Sequence, residues 1–168
     1  LSEILRELPK GTIFVIVSRD RDYLKNALLS GGYNQYATFE HIGLRYTEDI
    51  IKGIESGLFK YVCHPDLFIG AYESWDKELE GYARRILEAV KKANIPVEVN
   101  IGGMRGQYSY YKGLKYPDGV FFDLVSEYDL DVVIGVDAHD PHDFNELDIE
   151  RALDFAHRHH LRLIDFRL

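Results

Sequence analysis

The chain has 168 residues, enough for one domain with a sizeable hydrophobic core. Hydrophobic residues make up 46% of the sequence and charged residues 29%, a balance typical of globular proteins. The net charge of −8 has the wrong sign for a protein that binds a nucleic-acid polymer, and the single cysteine excludes an intrachain disulfide framework. No apolar run approaches the ~20 residues of a membrane span. The composition therefore predicts a soluble, acidic, cytoplasmic protein with no membrane partner.

The first part of the chain carries short helical and strand patterns. Leucine and isoleucine recur at helical spacing in residues 1–8, and a second helical pattern covers residues 21–29. Between them, residues 12–17 form an apolar run rich in β-branched side chains, which is typical of a strand. Residues 33–44 have no pattern that predicts an element.

From residue 46 onward, helices and strands alternate regularly. Helices are predicted over residues 46–56 with Thr47 as N-cap, over 74–93 with Ser74 as N-cap, and over 118–128 and 146–159. Strands are predicted over 60–63, 97–101, 131–136 and 161–166. Because a helix separates each strand from the next, the strands are expected to be parallel, in an α/β layer or barrel. No linker or low-complexity segment interrupts residues 1–168, so we expect a single domain.

Unusual polar side chains fall within or directly after three of these predicted strands. They are His64 and Asp66, Glu98 and Asn100, and Asp137 and His139. In α/β barrels the carboxyl ends of the strands build the active site. The three groups are therefore expected to converge in space.

The residue types suggest metal chemistry, although each residue also has a structural interpretation. Imidazoles and carboxylates bind zinc, iron and manganese, and Asp137-Ala138-His139 carries two such ligands on one short loop. Alternatively, His64 is a hydrogen-bonded turn residue and Asp137 caps the following segment. Glu98, inside an apolar strand, requires a charged or hydrogen-bonding partner. A serine-hydrolase elbow and a Lys-containing phosphate loop are both absent from the sequence.

The glycine-rich segment 102–106 follows the second of these strands. Its composition predicts a flexible turn that presents Arg105, a residue suited to bidentate phosphate recognition. In the alternative interpretation, Arg105 is a solvated loop charge. In the alternative interpretation of Asn100, its side chain forms a hydrogen bond with a neighbouring backbone group.

Three segments together resemble the polymerase-and-histidinol-phosphatase (PHP) superfamily. Residues 57–68, Gly-Leu-Phe-Lys-Tyr-Val-Cys-His-Pro-Asp-Leu-Phe, are similar to its third metal motif. Residues 98–105 followed by Tyr116-Pro117 resemble its histidinol-phosphate phosphatase branch, and residues 135–141 resemble its closing Asp-x-His motif. The order and spacing of the motifs agree with the family from about residue 46 to the C-terminus.

The resemblance implies a distorted (β/α)7, TIM-like barrel with up to three divalent metal ions at the strand ends. It also implies hydrolysis of a small phosphorylated substrate, L-histidinol phosphate, to L-histidinol in histidine biosynthesis. The implied metal ligands are His64, Asp137 and His139, with His41 as a further candidate. The metals would be zinc, iron or manganese, which the ligand types do not distinguish.

The resemblance also implies roles around the metals. Asp137, His139 and Arg105 would take part in catalysis, and Arg105, Glu98 and Asn100 would bind substrate. A second enzymatic interpretation keeps this site but assigns it another phosphoester.

The N-terminal third departs from the family pattern. It has no strand that ends in His-x-His, and Ile13 stands where the family places a metal-bridging glutamate. We therefore expect a barrel without its first strands. Either the sequence is part of a longer chain, or the protein is a degenerate PHP-like domain that binds a metal or partner without turnover. We favour the first interpretation, because a barrel without its first strands would leave sheet edges unpaired.

Overall fold

The structure is a computed structural model that describes residues 42–106 and 113–165. The elements predicted over residues 1–8, 12–17 and 21–29, and the candidate ligand His41, lie outside these residues. The described part is a mixed α/β arrangement. None of its helices is long and apolar enough to cross a bilayer.

The described helices and strands alternate as the sequence predicts. The five α-helices in these ranges are α1 (Ile42–Glu55), α2 (Lys77–Ala93), α3 (Ile101–Met104), α4 (Gly119–Glu127) and α5 (Glu146–Arg158). The strands are β1 (Val97–Asn100), β2 (Asp131–Gly135) and β3 (Arg162–Leu163). They pair in parallel in the order β1-β2-β3. The prediction of parallel strands is confirmed, whereas the described ranges show a three-stranded sheet and no barrel.

The helix boundaries differ from the prediction at two N-termini. Helix α1 begins at Ile42, and Thr47 lies fully buried inside it, so the prediction of Thr47 as N-cap is wrong. The helix extends further because Leu44 and Tyr46 pack against the core. Helix α2 is capped by Asp76, whose side chain accepts a hydrogen bond from the Leu79 N–H at 2.8 Å, rather than by Ser74.

The strand predicted over residues 60–63 is reduced to one parallel bridge between Val62 and Val97. Val62 donates to the Pro96 carbonyl, and Glu98 donates to the Val62 carbonyl, both at 3.0 Å. The ladder stops on one side because Pro96 has no N–H to donate. It stops on the other because the His64 N–H turns to the Glu98 side chain instead.

The core lies between the sheet and the helices. All four residues of β1 are buried, as expected for a parallel strand covered on both faces. Apolar residues of α2 and α4 supply much of the packing, and they include Leu79, Ile86, Val90, Phe121 and Phe122. This core holds β1 and β2 rigidly, so the loops at their carboxyl ends start from fixed positions.

Candidate functional site

The register of the sheet brings the polar strand ends together. Asn100 lies opposite Gly135, so β1 and β2 end side by side. Val62 pairs in parallel with Val97, so the residues that follow Val62 lie at the same edge of the sheet. Side chains from three separate segments meet along this edge: His64, Glu98, Asn100, Asp137 and His139. The edge is the candidate functional site.

Two of these residues adopt left-handed backbone conformations. His64 has a φ of 46° and Asp137 has a φ of 51°. The other non-glycine residues with positive φ in the described part, Asn94, Asp129 and His160, follow the C-termini of helices, where this conformation is common. His64 and Asp137 follow strand positions instead. Local backbone strain of this kind, about 1–3 kcal/mol for each residue, is concentrated at functional sites.

Glu98 is buried beside His64, and only 5% of its surface is exposed. Its Oε2 accepts hydrogen bonds from the His64 N–H at 3.0 Å and from Asn100 Nδ2 at 3.3 Å. The same oxygen lies 3.6 Å from His64 Nδ1. Burial raises the pKa of Glu98, and the neighbouring His64 opposes that rise. The partner that the sequence required for this buried carboxylate is therefore the His64 loop.

Gly135 of β2 makes room for that carboxylate. A Cβ atom at position 135 would overlap Glu98 Oε1. This glycine was not among the predicted site residues. Its position inside a predicted strand could have identified it, because a glycine there often marks the close approach of another group.

Asn100 is fully buried and joins β1 to the following helix. Its Oδ1 accepts a hydrogen bond from the Gly103 N–H at 2.8 Å, and thereby caps α3. Its Nδ2 donates to Glu98. Asn100 thus satisfies a neighbouring backbone group, which was the structural alternative for this residue. Its predicted role in substrate binding stays a prediction.

Asp137 and His139 face one another in the loop after β2. His139 Nε2 lies 3.6 Å from Asp137 Oδ1. Asp143, which the sequence analysis missed, accepts hydrogen bonds at Oδ2 from the His139 N–H at 2.7 Å and from the Asp140 N–H at 3.0 Å. These bonds, the one from His139 first, lower the pKa of Asp143. The sequence carries this signal as a capping box, in which Asp140 is the N-cap of a one-turn helix and Asp143 is the third residue of that helix.

Arg105 lies against the same loop. Residues Ile101–Met104 form a short helix rather than the predicted flexible turn, so the position of Arg105 is defined. Its side chain is only 12% exposed, which contradicts the interpretation as a solvated loop charge. Its guanidinium donates to backbone carbonyls of the loop after β2.

Asp66 is a buried carboxyl on the opposite flank of the site. Its Oδ2 accepts a hydrogen bond from the Asp118 N–H at 2.7 Å, which ties the His64 loop to the N-terminus of α4. Burial raises the pKa of Asp66 to about 7. The side chain is therefore partly protonated near neutral pH.

The donor set fits a divalent metal in its chemistry but is incomplete in the described part of the chain. His64, Asp137 and His139 are ligand types that zinc, iron and manganese accept. His64 Nδ1 is buried without a hydrogen-bond partner. However, residues 42–106 and 113–165 contain no group of three or more His, Cys, Asp or Glu side chains placed to hold one ion. They form two pairs instead, so a metal centre here needs donors from outside these ranges, and His41 is the candidate already predicted.

No protein-family model matches this chain, and no curated protein matches it. The relation to the PHP superfamily thus stays a resemblance carried by residues 57–68, 98–105 and 135–141.

Proposed function

We propose that this protein is a cytoplasmic, metal-dependent phosphatase that hydrolyses a small phosphate monoester, L-histidinol phosphate being the substrate that the resemblance implies. One observation carries the proposal. His64 and Asp137, two of the expected ligands, leave one edge of a parallel sheet in left-handed backbone conformations. In the proposed fold this sheet is part of a distorted (β/α)7 barrel, the remaining strands of which come from outside the described ranges.

His64, Asp137 and His139 would hold the metal, with His41 as a further ligand. A bound divalent ion supplies Lewis-acid stabilisation of phosphate oxygens and a water of lowered pKa. The chain contributes orientation. Glu98 fixes the His64 backbone through a 3.0 Å hydrogen bond, and Asp143 fixes that of His139 through one of 2.7 Å.

The charge of the protein is compatible with an anionic substrate. A net charge of −8 repels a nucleic-acid polymer, whose binding depends on many cationic contacts. A small phosphate monoester instead responds to the local field, where a bound cation outweighs distant charges. This difference favours a small substrate. Other small phosphoesters share this chemistry with L-histidinol phosphate.

A specific observation favours a second candidate function. The described donors form two pairs and no group of three, as expected of a degenerate PHP-like domain that binds a metal or a partner without turnover. Metal content measured together with turnover separates the two candidates.

The test combines metal analysis with turnover of L-histidinol phosphate and a panel of other phosphomonoesters. We expect two or three metal ions per chain and phosphatase activity that a chelator removes. His139→Ala is expected to lower activity by at least about 100-fold and to reduce metal content. His142→Ala is the matched control, because His142 lies in the same loop with an exposed side chain. A metal-free, inactive wild type would support the degenerate domain, and unchanged metal content and turnover in His139→Ala would contradict the site.

A further inference from the structure

We propose that Arg105 is a positioning residue that clamps the loop of Asp137 and His139 to the sheet edge, and that it does not contact a substrate phosphate. The clamp rests on contacts within the chain. Its consequence for turnover rests on the proposed function.

The guanidinium of Arg105 binds both ends of the loop after β2. Its Nη2 donates to the Val136 carbonyl at 2.9 Å and to the Asp137 carbonyl at 3.3 Å, where the loop begins. Its Nη1 donates to the Asp143 carbonyl at 3.0 Å, where the loop ends. A guanidinium presents its N–H donors in a rigid planar fork, so one side chain can close the whole loop.

Two carboxylates complete the surroundings of the guanidinium. Asp148 Oδ2 lies 3.6 Å from Nη1, and Asp143 Oδ1 lies 3.9 Å from Nε. Asp148 is itself buried and held by Asn145 Nδ2 at 2.8 Å. The charge of Arg105 is thus balanced by side chains of the protein, in a place that little water reaches.

These contacts leave little capacity for a phosphate. A phosphate oxygen would have to displace backbone carbonyls or carboxylates that Arg105 holds, and these partly buried acceptors would lose their donor. The Nε atom is buried without a hydrogen-bond partner, so it is not presented to a ligand in solvent.

The clamp acts on both expected ligands through the backbone. Arg105 binds the carbonyl of Asp137 directly. It also binds the carbonyl of Asp143, the residue whose carboxylate accepts the His139 N–H. Loss of the guanidinium is therefore expected to release the loop while its ligand side chains remain chemically intact.

The first test measures amide hydrogen exchange in the full protein and needs no activity. In Arg105→Met and Arg105→Lys we expect exchange in residues 137–144 to accelerate by at least about tenfold, with α2 protected as in the wild type. Arg151→Met is the matched control. Arg151 also contacts Asp148, at 3.3 Å, but its side chain is 58% exposed, so loop exchange should not change. If Arg105→Met also loses protection in α2, that variant is unfolded more widely, and loop exchange in Arg105→Lys then decides on the clamp. Wild-type loop exchange in a folded Arg105 variant would overturn the clamp.

The second test separates positioning from phosphate contact by kinetics. A clamp predicts that kcat falls about 10–100-fold in both Arg105 variants, while KM and inhibition by inorganic phosphate change less than about twofold. A phosphate contact predicts that KM and the phosphate inhibition constant rise, and that lysine restores much of both, because lysine also binds phosphate. The second pattern would overturn the proposal. If the full protein shows no phosphatase activity, the proposed function fails, and hydrogen exchange still decides on the clamp.

Discussion

The loop after Val62 and the loop after β2 begin alike but are anchored by opposite charges. Each contains an expected ligand with a left-handed backbone, His64 in one and Asp137 in the other. At His64 the anchor is the buried carboxylate of Glu98, which binds the backbone N–H. At Asp137 the anchor is the buried guanidinium of Arg105, which binds backbone carbonyls. An ionised carboxylate can bind only hydrogen-bond donors, and a guanidinium can bind only acceptors.

This difference gives the two loops different sensitivities. The His64 loop depends on a close fit, because Glu98 reaches it only across Gly135. The His64 loop also depends on the protonation states of Glu98 and Asp66, because both are buried carboxyls with raised pKa values. The loop of Asp137 and His139 depends instead on Arg105, which stays charged at any working pH, and on the carboxylate of Asp143, the pKa of which is lowered by the His139 N–H. Changes of packing and pH should therefore affect the first loop more than the second.

The largest effect is expected from Gly135→Ala. The new Cβ would overlap Glu98 Oε1, so the carboxylate has to shift, and we expect its Oε2 to lose the hydrogen bond from the His64 N–H. We expect the free energy of unfolding to fall by about 2–4 kcal/mol, from overpacking and from unpaired buried groups. Urea unfolding measures this loss. Hydrogen exchange should show faster opening at the His64 loop than at the Asp137 loop.

Gly81→Ala is the matched control for this substitution. Gly81 lies inside α2, and a Cβ there would meet no atom within 4 Å. The alanine variant is therefore expected to gain about 0.5–1 kcal/mol from helix propensity. Equal stability losses in both variants would show that the Gly135 effect does not come from Glu98.

A smaller effect is expected from Asp66→Asn, and it depends on pH. The pKa of Asp66 is about 7 in the folded chain and near 3.8 in the unfolded chain, so the folded state holds a proton that the unfolded state releases. Its contribution to stability is therefore present below pH 4 and is lost as pH rises through 7. Asparagine can still accept the Asp118 N–H and does not ionise. In chelator-treated protein, the variant should gain about 1–3 kcal/mol relative to wild type between pH 4 and pH 8.

Urea unfolding at several pH values measures that difference. Asp76→Asn serves as a control, because Asp76 is an exposed helix cap. A difference between wild type and Asp66→Asn that stays constant with pH would contradict a raised pKa at Asp66.

Local patterns in the sequence were sufficient to predict the main elements and the grouping of the strand ends. The apolar face of α2 and the left-handed Asn94 that follows it are visible as spacing and residue type. The convergence of His64, Glu98 and Asp137 follows from parallel pairing, which the alternation of helices and strands required.

The anchors of the two loops could not be predicted in the same way. Arg105 binds backbone carbonyls, and a carbonyl is present at every position, so no residue type identifies its partners. The strand at Val62 is reduced to a single bridge because Pro96 lies beside it. Which residue lies beside Pro96 is set by the register of the two segments, and the sequence pattern does not reveal that register. The barrel was predicted from a resemblance, and what the described ranges show is a three-stranded parallel sheet.

The smallest effect is expected at Asn94, which calibrates the backbone strain at both loops. Asn94 has a φ of 53°, close to the values at His64 and Asp137, but it lies at the exposed C-terminus of α2. Asn94→Gly should therefore raise the free energy of unfolding by a few tenths of a kcal/mol, and Asn94→Ala should lower it by about 1 kcal/mol, with phosphatase activity unchanged in both. Urea unfolding measures the difference between the two variants. If glycine and alanine gave equal stability, a left-handed backbone would cost this chain nothing, and the conformations of His64 and Asp137 would no longer mark a functional site.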